Sequence, residues 1–253
     1  MNMERHFFTT KYNCPNKCQY CFETFNDYPF SEISYVEIEN LDNCIIYPAC
    51  NTELLCIDKL NAFFEDYISK SKHFNIFSFS TKNKIKESDS SSIAKINNRL
   101  KEKNIGEIKI SISLSNKHKI NEIEQNSAIY EERLSLAKKL CQNGIKTTVI
   151  IKPILPFISV DEYKEIINDF VSIGVCHFVT GNLYFQENTP FFEKYIKGKG
   201  YNVTSKNIHW IKNTPTWQYI DSNNTIQELS EYINSLNGFH YNSDKELLED
   251  IYK

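Results

Sequence analysis

Glycine is scarce in this chain, with seven in 253 residues. Neither GxGxxG nor GxxxxGK[ST] occurs, so no dinucleotide fingerprint and no P-loop is present. That argues against the ordinary nucleotide-cofactor enzymes. Long apolar runs are missing too. The best candidate, VIIKPILPFI at 149–158, is too short to span a bilayer and carries Lys152. No secretory leader is visible in MNMERHFF. The expectation is a cytoplasmic protein with no membrane partner. A formal charge of −3 excludes a generally polycationic binder of nucleic acid.

What the chain does have is a core and thiols. It is 41% hydrophobic and 13% aromatic, enough to bury a real interior. Its length fits one large α/β domain or two small ones. Eight cysteines stand at 14, 18, 21, 44, 50, 56, 141 and 176. In a reducing compartment these are thiols or metal ligands. Core burial is expected for Cys44, Cys56, Cys141 and Cys176.

Strand-forming stretches rich in β-branched and aromatic residues lie at 5–12, 43–49, 74–82, 107–115, 146–154 and 175–184. Helical periodicity fills 52–70, 92–103, 129–142 and 160–173, and the last two stop at Asn143-Gly144 and Gly174. Six βα units in a row predict a parallel sheet with helices outside it. Six are too few for a full eight-stranded barrel, so the fold class is α/β, a partial (β/α)6 TIM-like barrel, with an open doubly wound sheet as runner-up. Either way, ligands belong at the C-terminal ends of the strands. Residues 1–185 form the core on this reading. Residues 186–253, with aromatics at 191, 192, 195, 201, 210, 217 and 219, form a C-terminal α-rich extension packed on it and covering the barrel mouth. Two capping boxes, Thr225-x-x-Glu228 and Ser243-x-x-Glu246, predict helix starts in that extension. The six histidines form no ligand pattern.

The sequence Cys14-Pro15-Asn16-Lys17-Cys18-Gln19-Tyr20-Cys21 follows directly on the first strand. Thiolates suit zinc or iron–sulfur clusters. A structural zinc site wants four ligands, and the chain has no second CxxC and no HxxxH to complete one. Three cysteines leave one corner of a cubane cluster without a protein ligand, as a catalytic site requires.

This CxxxCxxC, with an aromatic residue before its last cysteine, resembles the signature of the radical S-adenosylmethionine superfamily. The resemblance implies that Cys14, Cys18 and Cys21 hold a [4Fe–4S] cluster whose unique iron chelates the amino and carboxylate groups of S-adenosylmethionine. It implies reductive cleavage to a 5′-deoxyadenosyl radical that takes hydrogen from an organic substrate. It also implies Tyr20 against the adenine, a partial-barrel fold, and an electron donor such as flavodoxin or ferredoxin. Further motifs narrow the likeness: Ser111–Leu114 ending a strand, Glu132-Arg133-Leu134 on the next helix, and Pro153–Pro156 in a P-I-x-P turn. They are similar to those of the spore photoproduct lyase-like branch. With the cysteine loop, the likeness covers most of residues 5–185.

Away from the cysteines the resemblance implies less. The Gly-Gly-Glu-Pro turn of many members is replaced by Tyr47-Pro48-Ala49-Cys50-Asn51-Thr52-Glu53, where Thr52 or Glu53 stands in reach of the cofactor's ammonium. Lys82, in Ser80-Thr81-Lys82, is a candidate for the methionyl carboxylate. Ser113 is a candidate for the ribose. Cys50 is a candidate hydrogen donor to a product radical. Residues 82–119 carry ten Lys/Arg against four acids. The bland reading is a solvated helix with its loops, and the sharper one a nucleic-acid surface. Substrates open on this reading are a nucleic acid, a peptide or a small metabolite. The alternative of another class is a non-catalytic iron–sulfur or zinc module acting on a partner protein.

Overall fold

The structure, a computed structural model, describes residues 3–10, 14–21, 32–53, 57–207 and 216–252. In chain order its first half holds β1 (Arg5–Phe7), β2 (Lys17–Cys18), α1 (Tyr35–Ile38), β3 (Cys44–Tyr47), α2 (Ile57–Lys70), β4 (Asn75–Thr81), α3 (Glu87–Glu102), β5 (Gly106–Leu114), α4 (Ile120–Ile123) and β6 (Glu124–Gln125). There follow α5 (Tyr130–Gln142), β7 (Lys146–Ile151), α6 (Val160–Ser172), β8 (His177–Thr180) and β9 (Leu183–Phe185). The remainder is α7 (Pro190–Tyr195), β10 (Val203–Asn207), β11 (Thr216–Ile220), α8 (Asn223–Ser235), β12 (Phe239–Tyr241) and α9 (Asp244–Ile251).

Seven parallel strands form the main sheet in the order β1-β3-β4-β5-β7-β8-β12. The order runs with the sequence and never reverses. A doubly wound sheet needs a reversal, so the partial TIM-like barrel is the observed architecture. A parallel strand is present at each of the six expected stretches, with β5 starting one residue before its own. The seventh, β12, pairs in parallel with β8 and comes from the region expected to be α-rich.

Strand β5 shows how the barrel is built. Ile108, Ile110, Ile112 and Leu114 face the outer helices and are 0–1% exposed. Lys109, Ser111 and Ser113 alternate with them on the bore side. At the lower end Lys109 Nζ donates to Asp244 Oδ1 on α9 at 2.7 Å, and Tyr47 donates to the other carboxylate oxygen at 2.7 Å. Leu247 and Leu248 of α9 pack with Ile45, Ile76 and Val179 inside the bore. Each buried leucine contributes roughly 1.5–3 kcal/mol. Helix α9 therefore plugs the barrel from below.

Three expectations change in detail. The stretch 175–184 is not one strand. It breaks at Gly181-Asn182, where Gly181 O accepts from Ile154 N and Asn182 accepts from Ser222 N. Beyond the break β9 leaves the barrel and pairs with β11 in a separate antiparallel sheet. Helix α3 begins five residues before the expected 92, since Glu87 and Asp89 favour a first turn. Thr225 lies inside α8, which starts after Ser222, with Asp221 accepting from Asn223 N at 2.9 Å. Ser243 does cap α9, accepting from Glu246 N. Of the cysteines expected in the core, Cys44 is buried, Cys141 and Cys176 are half-buried, and Cys56 lies outside the described residues. No helix is long and apolar enough to cross a membrane among the described residues.

Candidate functional site

The C-terminal ends of the parallel strands surround a cavity of about 350 Å³. Cys14, Cys18, Tyr20 and Cys21 reach it from the loop after β1, and Cys50, Thr52 and Glu53 from the loop after β3. Thr81 and Lys82 line it from the end of β4, Ser113 from β5, Lys152 from the end of β7 and Tyr184 from β9. Each residue singled out for the cluster, the cofactor or hydrogen donation thus borders one cavity, because parallel strands present their C-terminal ends on one side.

The cysteine loop is anchored by a short antiparallel pairing of β2 with β6, which puts Cys18 opposite Glu124. Glu124 is fully buried. Its Oε1 accepts from Lys82 Nζ at 2.8 Å and from the Tyr20 hydroxyl, and its Oε2 accepts from Arg133 Nη1 at 2.5 Å. Arg133, also fully buried, spends its remaining donors on Ala128 O, Ser113 O and Ser127 Oγ. Burial alone would push the Glu124 carboxyl up. Lys82 and Arg133 outweigh it and hold the group at about 2. The Tyr20 hydroxyl is pushed well above its ordinary value by burial and by Glu124. Burial also pushes the Cys18 thiol up to about 12, with Lys82 working against the rise.

Lys82 uses its three donors on Glu124, on Tyr20 at 3.0 Å and on Ser113 Oγ at 3.1 Å. Its ammonium is thus a strut joining the cysteine loop, β4 and β5. Glu53 is a second strut. It accepts from Asn16 Nδ2 at 2.9 Å, Thr81 Oγ1 at 2.7 Å and the Lys82 backbone N–H at 2.9 Å. Burial raises its carboxyl, and the Thr81 and Lys82 hydrogen bonds partly offset that. In place of a glycine-rich turn, Asn51 clasps the chain after β1: it accepts from Thr10 N at 2.8 Å and donates to Thr10 O at 2.9 Å. Cys50 is exposed at the cavity. From the extension, Phe191 packs edge-on against Tyr20 at 6.2 Å, and Tyr184 of β9 forms part of the wall.

Two features bear on what the cavity accepts. Thr52 Oγ1 and Asn16 Oδ1 are buried at its lining with no hydrogen-bond partner among the described residues, so they suit a ligand that brings donors such as an ammonium. The three thiols converge without forming a mononuclear site. A single zinc holds sulfurs about 3.8 Å apart. Among the described residues, the metal-ligating trio lying within 4.8 Å of one another is Glu4, His6 and Cys44 at the edge of the sheet, not the three thiols. The donor set of the three thiols suits iron and sulfide.

The basic stretch of 82–119 is largely neutralised. Lys82, Lys84, Arg99, Lys101, Lys109 and Lys117 each pair with a carboxylate. Sequence reading missed Glu124, which lies in a two-residue strand with no local pattern. Arg133 did carry a signal: it stands on the apolar stripe of α5 with Tyr130, Leu136, Ala137 and Leu140, where a charge needs a buried partner.

No protein-family model matches this sequence, and no curated protein does. Solved structures do match. A mutant of spore photoproduct lyase aligns over 94% of this chain and 76% of its own, with TM-score 0.63 and 15% identity. Another, with bound AdoMet and dinucleoside spore photoproduct, gives the same coverage with TM-score 0.61 and 15% identity. Streptococcus suis SuiB bound to S-adenosylmethionine aligns over 96% of this chain and 51% of its own, with TM-score 0.59 and 13% identity. The chain therefore has the fold of spore photoproduct lyase and SuiB, the one that the likeness of its cysteine loop to the radical S-adenosylmethionine superfamily implied.

Proposed function

We propose that this chain is a radical S-adenosylmethionine enzyme, with Cys14, Cys18 and Cys21 holding a [4Fe–4S] cluster. The carrying observation is the meeting of three convergent thiols with orphaned buried acceptors in one strand-end cavity. When bound, the cluster would pass one electron from an external reductant to S-adenosylmethionine, releasing methionine and a 5′-deoxyadenosyl radical able to abstract hydrogen from an organic substrate. The fold supports the reading, because neighbours of the same fold have been solved with that cofactor.

The chain's own residues divide the work. Thr52 Oγ1 and Asn16 Oδ1 accept from the cofactor's ammonium, and Glu53 fixes Asn16 from behind. Ser113 faces the ribose. Tyr20 closes the wall beside the adenine, its ring held by Phe191 and its hydroxyl by Glu124. Lys82 tunes this end of the cavity with positive charge and holds Tyr20 and Ser113 in place. Cys50 borders the cavity as a hydrogen donor to a product radical. Residues 186–253 act as an extension whose Tyr184-adjoining sheet and α7 limit water access. Pairing of its lysines leaves the 82–119 surface little to offer a nucleic acid, so a substrate small enough for the cavity is favoured.

Anaerobic reconstitution with iron and sulfide tests the reading. The expected outcome is about four irons per chain and a reduced-cluster spectrum that changes when S-adenosylmethionine is added. One zinc per chain and an unresponsive spectrum would sink it.

A further inference from the structure

We propose that Lys152 forms an anion-recognising subsite on the side of the cavity away from the cysteine loop, and that the substrate carries a carboxylate or phosphate there. The inference rests on the function proposed above and names the chemistry of the substrate it leaves open.

Three charged side chains line the described cavity, and two are committed. Lys82 is bound to Glu124, and Glu53 to Asn16, Thr81 and the Lys82 backbone. Lys152 is not. Among the described residues its Nζ has no hydrogen-bond or ion-pair partner; only its backbone N–H is used, donating to Leu114 O at 3.2 Å. The nearest anion that acts on it, Asp244, is already bound by Lys109 and Tyr47. Lys152 is exposed at the cavity; the protein packed around its stem lowers the ammonium's pKa, and Asp244 works against that. An incoming anion would trade water on that ammonium for a charge-assisted hydrogen bond.

The neighbouring chain is cut to fit this side chain. A Cβ on Gly181 would lie 2.7 Å from Lys152 Cε and 2.9 Å from Cδ, so the stem lies across the glycine. The absence of a side chain at 181 aims the ammonium into the cavity. Pro153, Asn182 and Tyr184 line the same cavity.

Its position separates it from the cofactor's amino-acid end. The orphaned acceptors Thr52 and Asn16 sit over β1 and β3, with the cysteine loop. Lys152 ends β7, three strands from β3 in the sheet. At about 4.8 Å per strand that is about 14 Å along the sheet. A lysine there meets a second molecule, and a flexible ammonium suits one carboxylate or one phosphate.

The test titrates inorganic phosphate and propionate separately, by calorimetry, into the reconstituted protein with S-adenosylmethionine and into the cofactor-free chain. The expected result is binding of one probe to the wild type, and the stronger one identifies the group. Lys152→Met should weaken it at least about tenfold. Gly181→Ala should weaken it less, by pushing the stem aside while keeping the charge. Lys84→Met, a surface control, should change nothing. S-adenosylmethionine affinity in Lys152→Met should stay within about twofold of wild type. Both cavity variants should keep the wild-type melting transition, since Lys152 Nζ has no partner to lose among the described residues.

Binding of neither probe to the wild type, or equal binding to wild type and Lys152→Met, would overturn the proposal. So would a tenfold loss of S-adenosylmethionine affinity in Lys152→Met with anion binding unchanged, which would assign Lys152 to the cofactor and leave the proposed function standing. If the wild type bound no S-adenosylmethionine, that function would fall, and the cofactor-free titration would still decide whether the subsite exists.

Discussion

The barrel bore holds two lysine–carboxylate pairs, one above the other. At the upper end Lys82 meets Glu124; at the lower end Lys109 meets Asp244. Each lysine also donates to a serine of β5, Ser113 above and Ser111 below. Each carboxylate also accepts from a tyrosine, Tyr20 above and Tyr47 below. The chemistry is nearly the same, yet the surroundings differ. The lower pair is closed by α9 and its leucines. The upper pair opens on the cavity and carries Arg133 as a second cation. A buried ion pair is thus no sign of function by itself; what lies beyond it decides.

The largest expected contrast comes from the ligands. Cys18→Ala should abolish iron retention and 5′-deoxyadenosine formation. Calorimetric melting of the metal-free chain should hardly move, because the upper pair does not use that sulfur. Breaking the pairs comes next. Glu124→Gln leaves Lys82 and Arg133 buried without their anion and should cost roughly 3–5 kcal/mol in chemical denaturation. It should also weaken S-adenosylmethionine binding. Asp244→Asn should lower stability as well, with less loss since Asp244 is 24% exposed, and leave cofactor binding as in wild type. Equal cofactor binding in both variants would remove the distinction drawn here.

Acid should reveal both pairs, with one sign. The folded carboxyl of Glu124 lies at about 2 against an ordinary 4.5, and that of Asp244 is lowered from 3.8. Such groups stabilise the fold fully above their unfolded values and lose that contribution as pH falls through the folded ones. Stability should therefore drop between about pH 4.5 and pH 2, and the drop should shrink in Glu124→Gln. A surface pair makes the smallest effect. Arg99→Ala, which breaks the exposed pair with Glu65, should cost less than about 1 kcal/mol.

Much of the upper end was legible in the sequence. The regular βα order sends the loops after successive strands to one side, so residues as far apart as Cys14, Glu53, Lys82 and Ser113 could be brought to one site by pattern alone. The residues that hold them were not legible. Glu124 owes its place to a two-residue pairing with Lys17 and Cys18 across more than a hundred positions, and no periodicity marks it. Strand β12 is three residues long and sits between two helices, too short for alternation to show. Lys152 read as a charge inside an apolar run; its place at the cavity follows from the end of β7, and the room for its stem comes from Gly181.

The most direct test of the central claim is product formation by the upper end. Reconstituted wild-type protein is mixed anaerobically with dithionite and S-adenosylmethionine, and 5′-deoxyadenosine is measured beside Cys14→Ala, Cys18→Ala and Cys21→Ala. The account expects the nucleoside from the wild type and none above background from any of the three variants. Nucleoside formation that survives loss of these cysteines, or a fully iron-loaded wild type that forms none, would contradict it.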